Sequence, residues 1–221
     1  MNRIIFLIIF FAIGVTITFY IIQPEEKTLP VINPLDVEPE MVDRDVMMKR
    51  NGYGHKIAAF AFLNQNGEEI TQDFVKNKVY VAEYFFTTCG SICPIMNKQM
   101  KRIQEAYSDN GGLKILSFTV DPEVDNVEQM KRYAVGHQAN DQQWQFLTGE
   151  KKKLYALARK SFFVLKPAEA ENLGDAGSDF IHTNNFVLVD RKKRIRGYYD
   201  GTSVTSVDSL IHDIGRLLKE F

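Results

Sequence analysis

Two cysteines, Cys89 and Cys93, lie inside the stretch YFFTTCGSICPIM (84–96), and the chain has no others. The spacing differs from a C-x-x-C redox motif and from the paired ligands of a zinc finger. Residues four apart on a helix hold their Cβ atoms about 5–6 Å apart, whereas a disulfide wants about 3.5–4.5 Å. A disulfide therefore requires Cys89 to sit in a loop and swing toward Cys93. Two thiolates held apart, with room between them, suit a soft ion such as Cu(I). A closed structural zinc site needs a full tetrahedral ligand set, which fits poorly with two sulfurs and four histidines. On spacing alone, structural disulfide, redox dithiol and metal site all stay open.

The other soft donors are placed as follows. His55 precedes the first strand, and His137 follows a helix beside Gly136. His212 falls on the polar side of the last helix beside Asp213, and His182 heads a long strand after the loop LGDAGSDF. Met96 and Met100 fall on an apolar helical stripe, where methionine is a packing residue.

The elements that must position the sulfurs are legible. Val79 to Phe86, VYVAEYFF, is a near-continuous apolar run, the pattern of a central strand covered on both faces. Pro94 suits the first turn of a helix, where its missing N–H costs nothing. Met96, Met100, Ile103 and Tyr107 then recur at helical spacing, with Lys98, Lys101 and Arg102 on the opposite, solvated side. The cysteines thus sit between a buried strand and a helix start, whose N–H groups favour anions and lower a thiol pKa.

Around this unit the texture alternates. Ile57–Leu63, Asn66-Gly67 and Glu69-Ile70 predict an N-terminal hairpin. Strands are expected over 113–120, 144–147, 180–189 and 195–199. Helices are expected around Val127–Ala134, Leu154–Ala158 and Val207–Leu218, the last capped by Thr205 with Asp208. Alternating strands and helices predict an α/β layer architecture. Asp121-Pro122-Glu123 ends a strand and starts a helix.

At the N-terminus, Ile4 to Ile22 carries no charge over 19 residues, close to the roughly 20 needed for a membrane-spanning helix. No small-residue cleavage triplet follows it, which predicts an uncleaved anchor over 1–22. Arg3 before the run and Glu25 and Glu26 after it place the short N-terminus in the cytoplasm and the rest of the chain across the membrane, on the periplasmic side. There the thiols meet an oxidising compartment. Residues 23–50, with Pro24, Pro30, Pro34 and Pro39, predict an extended linker, leaving 51–221 as the folded domain. The net charge of −1 over 221 residues argues against nucleic acid as a partner.

Taken together, GHKIAAFAFLNQNGE, YFFTTCGSICPIM, SFTVDPEVD, FIHTNNFVLVD and RIRGYYDGT, in this order, resemble the SCO/SenC family of membrane-tethered, thioredoxin-like copper proteins. The resemblance runs from about Gly54 to the last helix. It implies a thioredoxin-like fold with a central mixed sheet. It also implies one copper ion held by Cys89, Cys93 and His182. The implied partners are the copper-accepting subunit of cytochrome c oxidase and other copper or thiol-redox proteins, and the implied role is assembly of the binuclear copper centre. The chain departs from the family pattern at Gly90, where proline is usual, and at Ile181, where an acidic residue usually precedes the histidine. Asp179 is then the carboxylate left to orient that imidazole. Two other functions use the same sulfurs. One is a thiol–disulfide oxidoreductase cycling Cys89 and Cys93. The other is a thiol peroxidase with Cys89 attacked and Cys93 resolving; it leaves His182 without a role.

Overall fold

The computed structural model describes residues 2–22, 28–164 and 184–220. Seven strands form one sheet in the order β2-β1-β5-β4-β3-β6-β7. They are β1 Ala61–Asn64, β2 Glu69–Thr71, β3 Val79–Phe85, β4 Leu113–Thr119, β5 Trp144–Thr148, β6 Asn185–Val189 and β7 Ile195–Asp200. The sheet is mixed. β3 runs parallel to β4 and β4 to β5, while β6 lies antiparallel to β3 on its other side. Every residue of β3 is buried, as its unbroken apolar run requires.

The expected N-terminal hairpin is β1–β2, paired Ala61–Thr71 through Leu63–Glu69. Gly67 takes φ +76 in its turn, a conformation that strains any residue with a Cβ. β6 and β7 form the second hairpin across 190–194.

Helices cover both faces. α3 (Cys93–Ala106), α4 (Val127–Gly136) and α6 (Val204–Lys219) lie on one side. There Met96, Met100, Ile103, Met130, Ala134, Leu210 and Ile214 pack against Val79, Val81, Phe85 and Trp144. α5 (Lys151–Leu157) and the π turn that continues it (158–162) cover the other side, over Tyr80, Tyr84, Phe118 and Leu147. α6 begins two residues earlier than expected. Ser203, not Thr205, is its cap, and accepts from the Ser206 amide. Asp208 reaches Arg102 on α3 instead, at 2.5 Å, so that arginine ties two helices together.

The expected linker over 23–50 is not extended where it is described. Residues 28–52 carry short 3-10 turns and α2 (Arg44–Met48). Val42 and Val46 are buried in the core on the α5 side, and Leu29 in the core on the α3 side. Ile32 bridges Ile195 at the start of β7. Arg196, 2% exposed, fixes this segment by donating to the carbonyls of Leu29 (2.6 Å) and Pro30 (2.9 Å) while pairing with Asp190 and Glu220. The prolines shape the segment's short turns, and its scattered apolar residues bind it to the domain.

α1 (Asn2–Ile22) is a 21-residue helix, and its large side chains from Ile4 to Ile17 are exposed. Side chains are described only over 3–18, short of the roughly 20 residues a crossing takes. Among the described residues no helix is long and apolar enough to cross a membrane.

Candidate functional site

β3 delivers the chain at Phe85 to a tight loop, and α3 takes it up again at Cys93. The loop is pinned at its start. Asp125, fully buried, accepts from the Thr87 amide at 3.2 Å, from the Thr87 hydroxyl, and from Thr119 Oγ1 at 2.5 Å. The loop entering the cysteines is thereby tied to the loop leaving β4. The Cys89 amide donates to the Phe86 carbonyl at 3.2 Å and closes the turn.

Cys89 lies in this loop and Cys93 is the first residue of α3, as the sequence requires for sulfurs that meet. Both are reduced and buried. Ile92, at the helix cap, offers no side-chain acceptor; Pro94 has no N–H, and the Ile95 and Met96 amides donate to the Ile92 carbonyl. Burial pushes the Cys89 thiol up, but the Cys93 and Ser91 amides, the Cys93 thiol and the Ser91 hydroxyl outweigh it, and Cys89 falls to about 7. Cys93 moves the other way, to about 12. Burial is the main cause, and Cys89 and Glu83 add to it against one backbone donor at Phe86. Cys89 is therefore the sulfur that ionises near neutral pH while Cys93 keeps its proton, and the two lie within hydrogen-bonding reach of each other. Gly90 needs no special backbone here, and a Cβ added to it would meet nothing within 4 Å.

Beneath Cys93 lies a buried polar cluster that the sequence reading missed. Glu83, the one charge in β3, is 1% exposed. Ser117 Oγ donates to its Oε1 at 2.5 Å and is itself held by Trp144 Nε1 at 2.8 Å. Its second oxygen, Oε2, has no partner among the described residues. Burial pushes its carboxyl up to about 7, against the pull of Ser117. Asn97 donates to the Cys93 carbonyl at 2.8 Å and to Tyr133 Oη at 2.6 Å, and its Oδ1 is unpartnered too. The available signal was a lone carboxylate inside VYVAEYFF.

Three histidines lie away from the sulfurs. His55 Nε2 meets the Ser161 carbonyl at 2.8 Å and packs on Phe163. His137 ends α4 and packs tilted against Tyr133 with ring centroids 4.4 Å apart. His212 is exposed beside Asp213. His182, Ile181 and Asp179 fall outside the described residues. Among the described residues no three His, Cys, Asp or Glu side chains are grouped to hold a metal. The antiparallel register Tyr80–Val189 and Ala82–Val187 runs the start of β6 toward the end of β3 that carries Cys89.

A mixed sheet wrapped by helices, with two unequal thiols at the junction of its central strand and a helix, defines a thioredoxin-like dithiol domain. The SCO1/SenC family model matches residues 49–219, and the chain belongs to that family. It is 32% identical over 163 residues to the SCO1 protein homolog of Bacillus subtilis, covering 72% of this chain and 81% of the relative. The solved structure of BsSco, described as a member of the Sco family of cytochrome c oxidase assembly proteins with a disulfide switch, aligns with TM-score 0.64 and 30% identity. The alignment covers 76% of this chain and 95% of BsSco. Bradyrhizobium japonicum ScoI, solved with copper bound, shares the fold at TM-score 0.57 and 20% identity, over 74% of this chain and 99% of its own.

Proposed function

We propose that this protein is a membrane-tethered copper metallochaperone. It carries one copper ion on Cys89, Cys93 and His182 and assists assembly of the binuclear copper centre of cytochrome c oxidase. The observation that carries the reading is the pair of reduced, buried sulfurs of unequal acidity in a chain of the SCO1/SenC family. Thiolates select soft ions, and imidazole from His182 completes a set of that softness. The β6 register supports His182, because residue 184 follows it by two and enters β6 from the Cys89 side of the sheet. BsSco, named with the oxidase assembly proteins, supports the role, and copper in B. japonicum ScoI supports the cargo. α1 serves as the anchor, with the domain on the periplasmic side, because the charge flanking the apolar run follows the positive-inside pattern.

A second reading uses the same sulfurs as a thiol–disulfide oxidoreductase acting on partner cysteines. The lowered pKa of Cys89 beside the protonated Cys93 favours it, and copper ligation and exchange use different redox states of one pair.

Copper titration of the reduced full-length chain, with metal stoichiometry, tests the first reading. One copper per chain is expected for the wild type. His182→Ala is expected to lose most of the affinity while still forming the Cys89–Cys93 disulfide. Unchanged copper binding in His182→Ala overturns that ligand. Turnover of a disulfide by the metal-free protein supports the second reading, and its absence alongside tight copper binding removes it.

A further inference from the structure

We propose that the end of the sheet opposite the cysteines is a docking face for an anionic lipid surface, with the turn between β6 and β7 at its centre. This rests on the reading of α1 as an anchor, and adds an electrostatic hold that the domain itself supplies.

The strand registers line up one row across the sheet: Ile32, Ile195, Val189, Tyr80 and Lys114. Cations gather at and beyond that row, away from Cys89. Lys76 and Lys78 precede β3, Lys114 stands near the start of β4, and Arg191, Lys192 and Lys193 lie in the β6–β7 turn. Lys76, Lys192 and Lys193 are exposed. Lys193 donates to Gln72 Oε1 at 3.1 Å and Arg191 to the Leu218 carbonyl at 3.3 Å. Lys114 donates to the Gln142 carbonyl while its amine lies over the Phe74 ring. These acceptors are neutral, so they do not cancel the positive charge. Burial, then repulsion from Lys78, lowers the Lys114 pKa, as expected where like charges crowd.

The acids here do not balance them. Asp190 pairs with Arg194 and Arg196, Glu220 with Arg196, and Asp141, before β5, with Lys131. Asp73 and Asp109 are exposed and offset only part of the cluster. The whole chain carries −1, so the cations are segregated to this end.

Two observations select a lipid surface. The first is position. Leu29 and Ile32, which follow α1 in the chain, are held here: the Leu29 carbonyl accepts from Arg196 at 2.6 Å, and the Ile32 amide donates to the Ile195 carbonyl at 2.9 Å. A domain hung from a bilayer by its N-terminal segment turns toward it the end that grips that segment. The second is composition. Tyr53 is 62% and Leu35 49% exposed. Leu35 lies over Gly52, and the Gly54 amide donates to Asn33 Oδ1, next to Ile32. Asp36 is turned back onto the Asn33 amide, and Glu38 and Glu40 lie farther along toward α2. Lysines beside an exposed tyrosine and leucine suit a membrane interface. Each lysine near an anionic leaflet strengthens attraction about fivefold.

The test reads lysine acylation site by site. The full-length chain is reconstituted with vesicles of phosphatidylcholine alone, or with about 30% phosphatidylglycerol to give a negative surface potential. It is treated briefly with an N-hydroxysuccinimide ester and mapped by mass spectrometry. Flotation with phosphatidylcholine vesicles reads the anchor separately. Phosphatidylglycerol is expected to slow labelling of Lys76, Lys192 and Lys193 at least about threefold. Lys98 on α3 and Lys152 on α5, exposed nearer the dithiol end, should not change. About 1 M salt, with a screening length of about 3 Å, should remove the protection. Lys76→Glu combined with Lys193→Glu, with a matched thermal melt, should restore labelling of Lys192. Equal labelling of the three lysines in both vesicles overturns the proposal, as does protection shared evenly by Lys98 and Lys152. Protection by polyglutamate without protection by phosphatidylglycerol overturns it in favour of an acidic protein partner. A chain that does not float with phosphatidylcholine sinks the anchor reading, and labelling with phosphatidylglycerol still decides the face.

Discussion

Cys89 Sγ lies 3.7 Å from Ser91 Oγ in the loop before α3, whereas Cys93 is the buried first residue of α3. The two placements move the sulfurs in opposite senses, Cys89 down and Cys93 up.

Alkylation of the reduced, metal-free protein should follow that asymmetry. A thiol reacts as its thiolate, so Cys89 should react with a midpoint near pH 7, as its pKa of about 7 dictates. Cys93, at about 12, should lag until strongly alkaline pH. Mapping adducts across pH 5–10 checks this, and equal midpoints contradict it.

Glu83 should make folding stability depend on pH in a defined direction. Burial raises its carboxyl pKa from 4.5 to about 7 in the folded state, so between these values the folded state binds more protons than the unfolded one. Stability from this group is full below pH 4.5 and is lost as pH rises through 7. The loss amounts to about 3 kcal/mol, since each unit is worth about 1.4 kcal/mol. Urea unfolding of wild type against Glu83→Gln at pH 5 and pH 8 should show the variant gaining ground at the higher pH. A constant difference contradicts it.

Asp125→Ala should loosen the cysteine loop. It leaves the Thr87 amide and hydroxyl and the Thr119 hydroxyl without their acceptor, at about 2 kcal/mol or more. Asp125→Asn keeps an acceptor oxygen and should lose less. Denaturant midpoints rank the two, and the reverse order sinks the account.

Arg196→Met should release the N-terminal segment. It removes one of the two arginines on Asp190, the arginine paired with Glu220 and the donor to two main-chain carbonyls, a change worth about 3 kcal/mol. Trypsin should then cut at Arg44 and Lys49 well before the wild type is touched, as read on a gel. Equal cutting rates contradict the clamp.

How much of this was legible differs by element. β3, α3 and the first hairpin were visible because each writes its own period: an unbroken apolar run, a four-three-four stripe and an Asn66-Gly67 turn. The cysteine placement followed from them. The cap of α6 was missed by two residues, because Ser203 and Thr205 carry the same hydroxyl chemistry and Asp208 imitated a capping box while serving Arg102. The 28–52 segment was misread because its partners, Ile195 and Arg196, lie more than 140 residues away in sequence. Asp125 stood in plain sight within SFTVDPEVD, but nothing local says that its carboxylate turns back to Thr87. Glu83 was visible as an odd charge, yet only the fold puts Ser117, Tyr133 and Cys93 around it.

The docking of Ile32 on Ile195 has a consequence for range. It grips the domain at the β7 start, which the registers Val189–Ile195 and Tyr80–Val189 place at the opening of β3, whereas Cys89 lies beyond its close. That is a separation of about 20 Å along the strand. The docking of this segment and the dithiol thus occupy opposite ends of β3, so a substitution that frees the one need not disturb the other.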